Sequence, residues 1–175
     1  IARTKGVYRF PCEVLLVCAM NPCKCGFWGS SIKECSCTEH QRRQYISKIN
    51  GPLLDRIDMH VTVQRVDVRD LADSRLVTES APTVKTRVVA ARMLQAERLS
   101  GTELFTNSEM GLKEMSSLLS ISRDARKLLL DAYSRMNLSA RAYYRTIKVA
   151  ASIADLASSA RIEEEALSYR QRPSE

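Results

Sequence analysis

Apolar positions along the chain follow two rhythms, and the change between them falls near Arg65 to Asp70. In the first half the apolar runs are short. Val14-Leu15-Leu16-Val17-Cys18-Ala19-Met20 is continuous, β-branched in part and of strand length, and His60-Val61-Thr62-Val63-Gln64 alternates; the two predict a buried strand and a second strand. Tyr8 and Phe10 lead into Pro11, and Ala2-Arg3-Thr4-Lys5-Gly6 predicts the turn of a hairpin whose strands are residues before Ile1 and Val7 to Phe10. An Arg- and Gln-rich helix is expected from Thr38 to about Ile49, opened by a capping box between Thr38 and Gln41. From Asp67 onward helical spacing takes over. Val84, Val88, Ala91 and Gln95 share one face of a helix from about Pro82 to Leu99, which Ser100-Gly101 ends. Ser122 is the expected N-cap of a second long helix with Ala125, Leu128, Leu129, Ala132 and Met136 inward. Ser139 opens a third, where Tyr143, Ile147, Ala150, Ala154 and Ala157 form an apolar stripe opposite Arg141, Arg145 and Lys148. Arg161 to Tyr169 reads as a final short helix with Glu163, Glu164 and Glu165 near its positive end. The expectation is an α/β part over residues 1–66 and an all-helical part of four or five helices over 67–175, with no internal repeat.

Composition changes this picture little. With 175 residues and 45% hydrophobic content the chain can build a core, as one medium domain or two small ones. Its 27 Lys and Arg against 20 Asp and Glu leave a formal charge of +7, which suits nucleic acid or phosphate partners without selecting them. No stretch reads as a secretory signal and none is apolar for long enough to cross a membrane, so a reducing, cytoplasmic setting without a membrane partner is expected.

The cysteines add chemistry. Cys23-Lys24-Cys25 and Cys35-Ser36-Cys37 are two Cys-x-Cys pairs separated by nine residues that include Gly26, Phe27, Trp28 and Gly29. Residues two apart on extended backbone point the same way, so each pair can face one ion, and four thiolates suit tetrahedral Zn²⁺. Cys23, Cys25, Cys35 and Cys37 are therefore the expected ligands of a structural zinc, ahead of inert buried thiols and of disulfides; His40 in place of one cysteine is the less simple ligand set. Four bound thiolates with one Zn²⁺ would lower the net charge by two. Cys12 and Cys18 are expected to be small buried hydrophobes.

Three stretches together resemble the ComM/YifB-type magnesium-chelatase-like AAA+ proteins. These are Val17-Cys18-Ala19-Met20-Asn21-Pro22 running into the first cysteine pair, Ser47-Lys48-Ile49-Asn50-Gly51-Pro52-Leu53-Leu54-Asp55-Arg56-Ile57-Asp58 after the second, and Asn137-Leu138-Ser139-Ala140-Arg141-Ala142-Tyr143-Tyr144-Arg145 with Ile153-Ala154-Asp155-Leu156-Ala157 in the helical half. The resemblance covers nearly the whole chain. It implies an α/β AAA+ core remnant with a zinc-binding insert, followed by an all-α lid domain. The sequence holds no Gly-x-x-x-x-Gly-Lys-Ser/Thr and no apolar run ending in Asp-Glu, so the resemblance is to the C-terminal portion of such a protein, which by itself is not expected to hydrolyse ATP.

The same resemblance assigns roles. Asn21 matches sensor 1, where a neutral amide orients the attacking water; as a bare dipeptide, Asn21-Pro22 is simply a turn. Arg56 matches the arginine finger that reaches a neighbouring subunit's nucleotide, its competing fate being a surface ion pair with Asp55 or Asp58. Arg141 matches sensor 2, while Arg145 and Lys148 read as a solvated face. Arg3 and Lys5, at the hairpin tip, are candidate DNA contacts by analogy with helicase-like relatives, and Arg42, Arg43 and Lys48 are a second candidate surface. Trp28 either stacks on a base or, preferably, packs over the metal site. The function implied is an ATP-dependent DNA-remodelling motor linked to branch migration in natural transformation, with Mg²⁺-ATP bound by the intact protein, DNA as partner and a hexameric ring by analogy. The rival readings are a metal-chelatase subunit of the same branch and a non-enzymatic, zinc-stapled adaptor for nucleic acid or protein.

Overall fold

The computed structural model describes residues 2–3, 6–9, 14–49, 53, 56–63, 79–136 and 138–168. The chain forms two compact units, residues 1–50 and 51–175.

The first unit opens with a hairpin. Strand β1 (Ala2–Arg3) pairs antiparallel with β2 (Gly6–Val7), with Ala2 opposite Val7 and Arg3 opposite Gly6. The expected turn is thus tighter than the sequence suggested: only positions 4 and 5, outside the described residues, lie between the strands. Helix α1 (Glu39–Ile46) starts as expected. Thr38 Oγ1 accepts from the Gln41 N–H at 3.3 Å, and the Gln41 side chain accepts from the Thr38 N–H at 3.0 Å.

Two expectations fail here. Residues 14–20 and 60–63 lie outside any strand and are exposed throughout, Leu15 at 93% and Val63 at 85%, and Cys18 is exposed where a buried thiol was expected. Strand backbone is stabilised by a neighbour that takes up its N–H and C=O groups, and an apolar strand needs its faces covered. Among the described residues the β pairing is limited to the short hairpin and one isolated bridge in the helical unit, so neither run has such a neighbour there. Cys12 lies outside the described residues.

The second unit is helical, with α2 (Ala81–Arg98), α3 (Leu112–Leu118), α4 (Arg123–Met136), α5 (Ala140–Leu156) and α6 (Glu164–Ser168), and a 3₁₀ turn at Asn107–Glu109. The starts follow the expected caps. Ser122 Oγ accepts from the Ala125 N–H at 3.2 Å, and Ser139 Oγ from the Ala142 N–H at 3.1 Å. Helix α2 is capped by Ser80, which the sequence reading did not single out. Helix α5 is the centre of the unit, touching α2, the 3₁₀ turn and α6. Its Ala150, Ala151 and Ala154 are nearly fully buried with Ile147, and Leu99, Met110, Met115, Ala125, Leu129, Ile162, Ala166 and Leu167 complete the core. Small side chains on α5 let its neighbours approach closely, so the core is made by the surrounding Leu, Ile and Met. The outer ends of the expected stripes do not reach it: Val84, Val88, Met136 and Ala157 are exposed. A parallel bridge between Ile121 and Ile162 ties the start of α4 to the chain before α6, with N–H···O distances of 3.0 and 2.8 Å.

One polar cluster lies in this core. Asp155 is 0% exposed; its Oδ2 accepts from Arg98 Nη1 at 3.0 Å and from Asn107 Nδ2 at 2.8 Å, and its Oδ1 accepts from Arg98 Nη2. Asn107 Oδ1 accepts from Arg98 Nη1 at 3.0 Å, and its Nδ2 donates also to Ser152 Oγ at 3.1 Å. Both oxygens of the buried carboxylate have a donor, as a charge removed from water requires. The cluster pins the C-terminal end of α2 and the 3₁₀ turn to α5.

Candidate functional site

The four paired cysteines come together in the first unit. Tight turns make this possible: the Gly26 N–H donates to the Cys23 carbonyl at 3.0 Å and the Ser30 N–H to the Phe27 carbonyl at 3.0 Å, with Gly26 and Gly29 at φ of +80° and +78°, a region that glycine enters without steric cost. The Sγ atoms of Cys23, Cys25, Cys35 and Cys37 all lie within 4.8 Å of one another. Cys23 to Cys25 is 3.4 Å, Cys25 to Cys35 is 3.5 Å and Cys23 to Cys35 is 3.7 Å. A tetrahedral ion with Zn–S bonds of about 2.3 Å would hold its sulfurs about 3.8 Å apart. The set therefore fits a small thiophilic cation with little adjustment.

The surrounding backbone favours thiolate. The Phe27 N–H, aimed at Cys25, outweighs its burial and brings it down to about 5. Burial acts to raise Cys23, but hydrogen bonds from the Trp28 and Gly26 backbone hold it below the ordinary thiol value. The Cys25 backbone N–H favours ionisation of Cys37, yet burial and the neighbouring Cys25 and Cys23 sulfurs push it up to about 11. Without a cation the sulfurs of Cys23, Cys25 and Cys37 compete for negative charge; a divalent ion would remove that competition.

The cysteine loop is braced from α1. Arg42 donates to the Cys37 carbonyl at 2.8 Å, and its guanidinium lies 5.7 Å from the centre of the Trp28 ring. Trp28 thus packs beside the cluster, and Arg42 is engaged there, while Arg43 pairs with Glu39 on the exposed face of α1. Lys33 lies 5.0 Å over the Phe27 ring. Asn21 is exposed, with its amide against Gly26: a Cβ there would be 3.9 Å from Asn21 Cγ. His40 is not part of the cluster. The side chain of Arg3 and all of Lys5 lie outside the described residues.

In the second unit, the outer face of α5 borders an open cavity of about 320 Å³ lined by Met110, Gly111, Leu112, Met115, Arg141, Tyr144, Arg145 and Lys148. One wall is apolar and the other cationic. The expectation that Arg145 and Lys148 form a solvated face fails. The Arg145 side chain is only 14% exposed and its Nε donates to Asp58 Oδ1 at 2.6 Å, while its Nη2 reaches the Arg56 carbonyl. Lys148 Nζ donates to the Ser108 carbonyl at 2.8 Å. Arg141 differs: it is exposed and makes no hydrogen bond or ion pair with the described residues. Arg56 is exposed, and its neighbour Asp58 is held by Arg145. No described helix is long and apolar enough to cross a membrane.

Sequence reasoning missed Arg98, Asn107 and Asp155 as a unit, and the tie from Arg145 to residues 56–58. Asp155 offered a signal, as a lone acid among the alanines of an inward-facing helix stretch. The Arg145 contact offered none, because 87 residues separate it from Asp58.

Comparison with known proteins agrees with the resemblance. The magnesium chelatase subunit ChlI family model matches residues 1–71, and that of the ChlI C-terminal region matches residues 78–170. A Mycobacterium tuberculosis protein is 38% identical over 98% of this chain and 34% of its own length. Escherichia coli YifB is 31% identical over 97% of the chain and 33% of its own length, and the competence protein ComM of Haemophilus influenzae is 30% identical over 97% and 33%. The chain thus spans about a third of the length of these relatives. On these matches, joined to the cysteine cluster and the helical unit that its motifs foretold, the chain belongs to the magnesium-chelatase-like family, of the ComM/YifB type.

Proposed function

We propose that this chain is the sensor and lid portion of an ATP-dependent DNA-remodelling motor of the ComM type, cytoplasmic and assembled as a ring, a hexamer by analogy. The observation that carries the reading is Arg141, a cation beside an open cavity and without a partner among the described residues. A guanidinium with no partner among the described residues, flanked by Arg145 and Lys148, suits phosphate oxygens, which accept its planar fork bidentately. That the Haemophilus influenzae relative is named a competence protein supports DNA as the substrate of the motor.

In this reading the functional division runs between residues 1–66 and 67–175. Asn21 would orient water through an uncharged amide, Arg56 would complete a neighbouring subunit's site, and Arg141 would bind phosphate and report its presence to α5. Mg²⁺-ATP would be held largely by parts of a longer protein, since the sequence here contains no phosphate-binding glycine loop. Cys23, Cys25, Cys35 and Cys37 would hold a structural zinc that closes the loop preceding α1. Arg3 and Lys5 are proposed DNA-backbone contacts at the hairpin tip.

The test is ATP turnover by the full-length protein, with and without branched DNA, beside its Arg56→Ala and Arg141→Ala variants. Stimulation by DNA and loss of turnover in both variants is the expected result. Turnover that ignores DNA and answers to a chelatase partner would replace the motor with the metal-chelatase reading. DNA or protein binding with no turnover in the full-length protein would leave the zinc-stapled adaptor.

A further inference from the structure

We infer that Arg145 is a positioning residue for Arg56, tying the segment that carries Arg56 to the helix that carries Arg141. The inference rests on the reading of Arg56 and Arg141 as phosphate-binding groups. Arg141, Arg145 and Lys148 recur at helical spacing on one face of α5, and they have different fates. Lys148 holds the 3₁₀ turn through the Ser108 carbonyl, Arg145 holds residues 56–58, and Arg141 has no partner among the described residues.

The Arg145 contact is of the kind that fixes position. Its guanidinium engages two different groups of the same short segment, the Asp58 carboxylate at 2.6 Å and the Arg56 main-chain carbonyl. A planar fork that meets two acceptors restrains rotation as well as distance, which a lysine cannot do. The Arg145 side chain is 14% exposed whereas Asp58 is 59% exposed, so the anchor point is on the helix and the restrained part is the loop. Holding the Arg56 carbonyl sets the backbone from which its side chain departs. One helical turn, about 6 Å, separates the Cα positions of Arg141 and Arg145. A shift of α5 when Arg141 takes up phosphate is therefore passed to the Arg56 backbone through Arg145.

The test combines turnover with a readout on the chain itself. In the full-length protein Arg145→Met is expected to lower kcat for ATP about ten- to a hundredfold with KM changed less than about twofold, since misplacing a reacting group by about 1 Å can cost roughly a hundredfold. Arg145→Lys should recover little, and the Arg56→Ala/Arg145→Met double variant should be no slower than Arg56→Ala alone, because both act through one group. In the 175-residue chain, amide resonances of residues 56–59 should move in Arg145→Met while those of the cysteine loop stay in place. A raised KM at unchanged kcat, or multiplicative losses in the double variant, would overturn the inference by giving Arg145 a ligand or a fold role of its own. If Arg56→Ala leaves turnover intact, the finger reading fails instead, and unmoved 56–59 amides would show the tie itself to be absent.

Discussion

Replacing Asp155 by asparagine keeps the volume of a fully buried side chain and removes its charge. The wild-type carboxylate accepts from Arg98 at both oxygens and from Asn107 at Oδ2. An asparagine offers one carbonyl oxygen, and its NH₂ group must then face the Arg98 or Asn107 donors, so at least one buried hydrogen bond is lost and the guanidinium is left uncompensated. Removing one member of a buried pair costs about 3–5 kcal/mol. Arg98 retains 18% exposure, and partial access to water places the expected loss toward the lower end. For a unit of this size about 1 kcal/mol moves the midpoint by roughly 3–4 °C, giving a fall of roughly 10–15 °C. Thermal unfolding followed by far-UV circular dichroism reads mainly the second unit, where most helix resides. The companion variant Arg98→Met/Asp155→Leu removes both charges and should recover most of the loss. An Asp155→Asn midpoint within about 3 °C of wild type, or a double variant as unstable as the sum of the singles, would refute the argument that the pair acts as a unit.

Cys35→Ser should lower zinc bound to the reductively prepared chain from about one equivalent to well under half, measured by elemental analysis; wild-type protein that folds without metal would reduce the four thiols to packing residues. Ser139→Ala removes the acceptor for the Ala142 N–H at the start of α5, and a loss of about 1 kcal/mol in denaturant unfolding is expected, with an unchanged midpoint counting against the cap. Glu109 is held below the ordinary carboxyl value of 4.5, first by the Thr106 hydroxyl and then by the Phe105 N–H. A depressed folded value means stability that is present above pH 4.5 and lost as pH falls through the folded value, so the difference between wild type and Glu109→Gln should close on acidification. A gap in melting temperature that persists well below the carboxylate range would rule that linkage out.

Local rules made much of the molecule legible in advance. Thr38, Ser122 and Ser139 could be identified as caps because a cap needs only a side-chain oxygen and an N–H three residues on. The cysteine cluster was readable for a similar reason, since Cys-x-Cys spacing and two glycines with positive φ confine the search to a loop of a few residues. The inner stripe of α5 followed from its period, and Ile147, Ala150 and Ala154 are indeed buried. Residues 14–20 and 60–63 show where such reasoning ends. Their pattern encodes strands, but a strand exists only against a neighbour, and pattern cannot supply one. Tertiary structure alone decided the fates of Arg98, Asp155 and Arg145. Each is a charged side chain whose partner lies dozens of residues away, 57 for Arg98 to Asp155 and 87 for Arg145 to Asp58. Spacing along a chain specifies which face a residue occupies; what that face meets is settled only when the core closes around it.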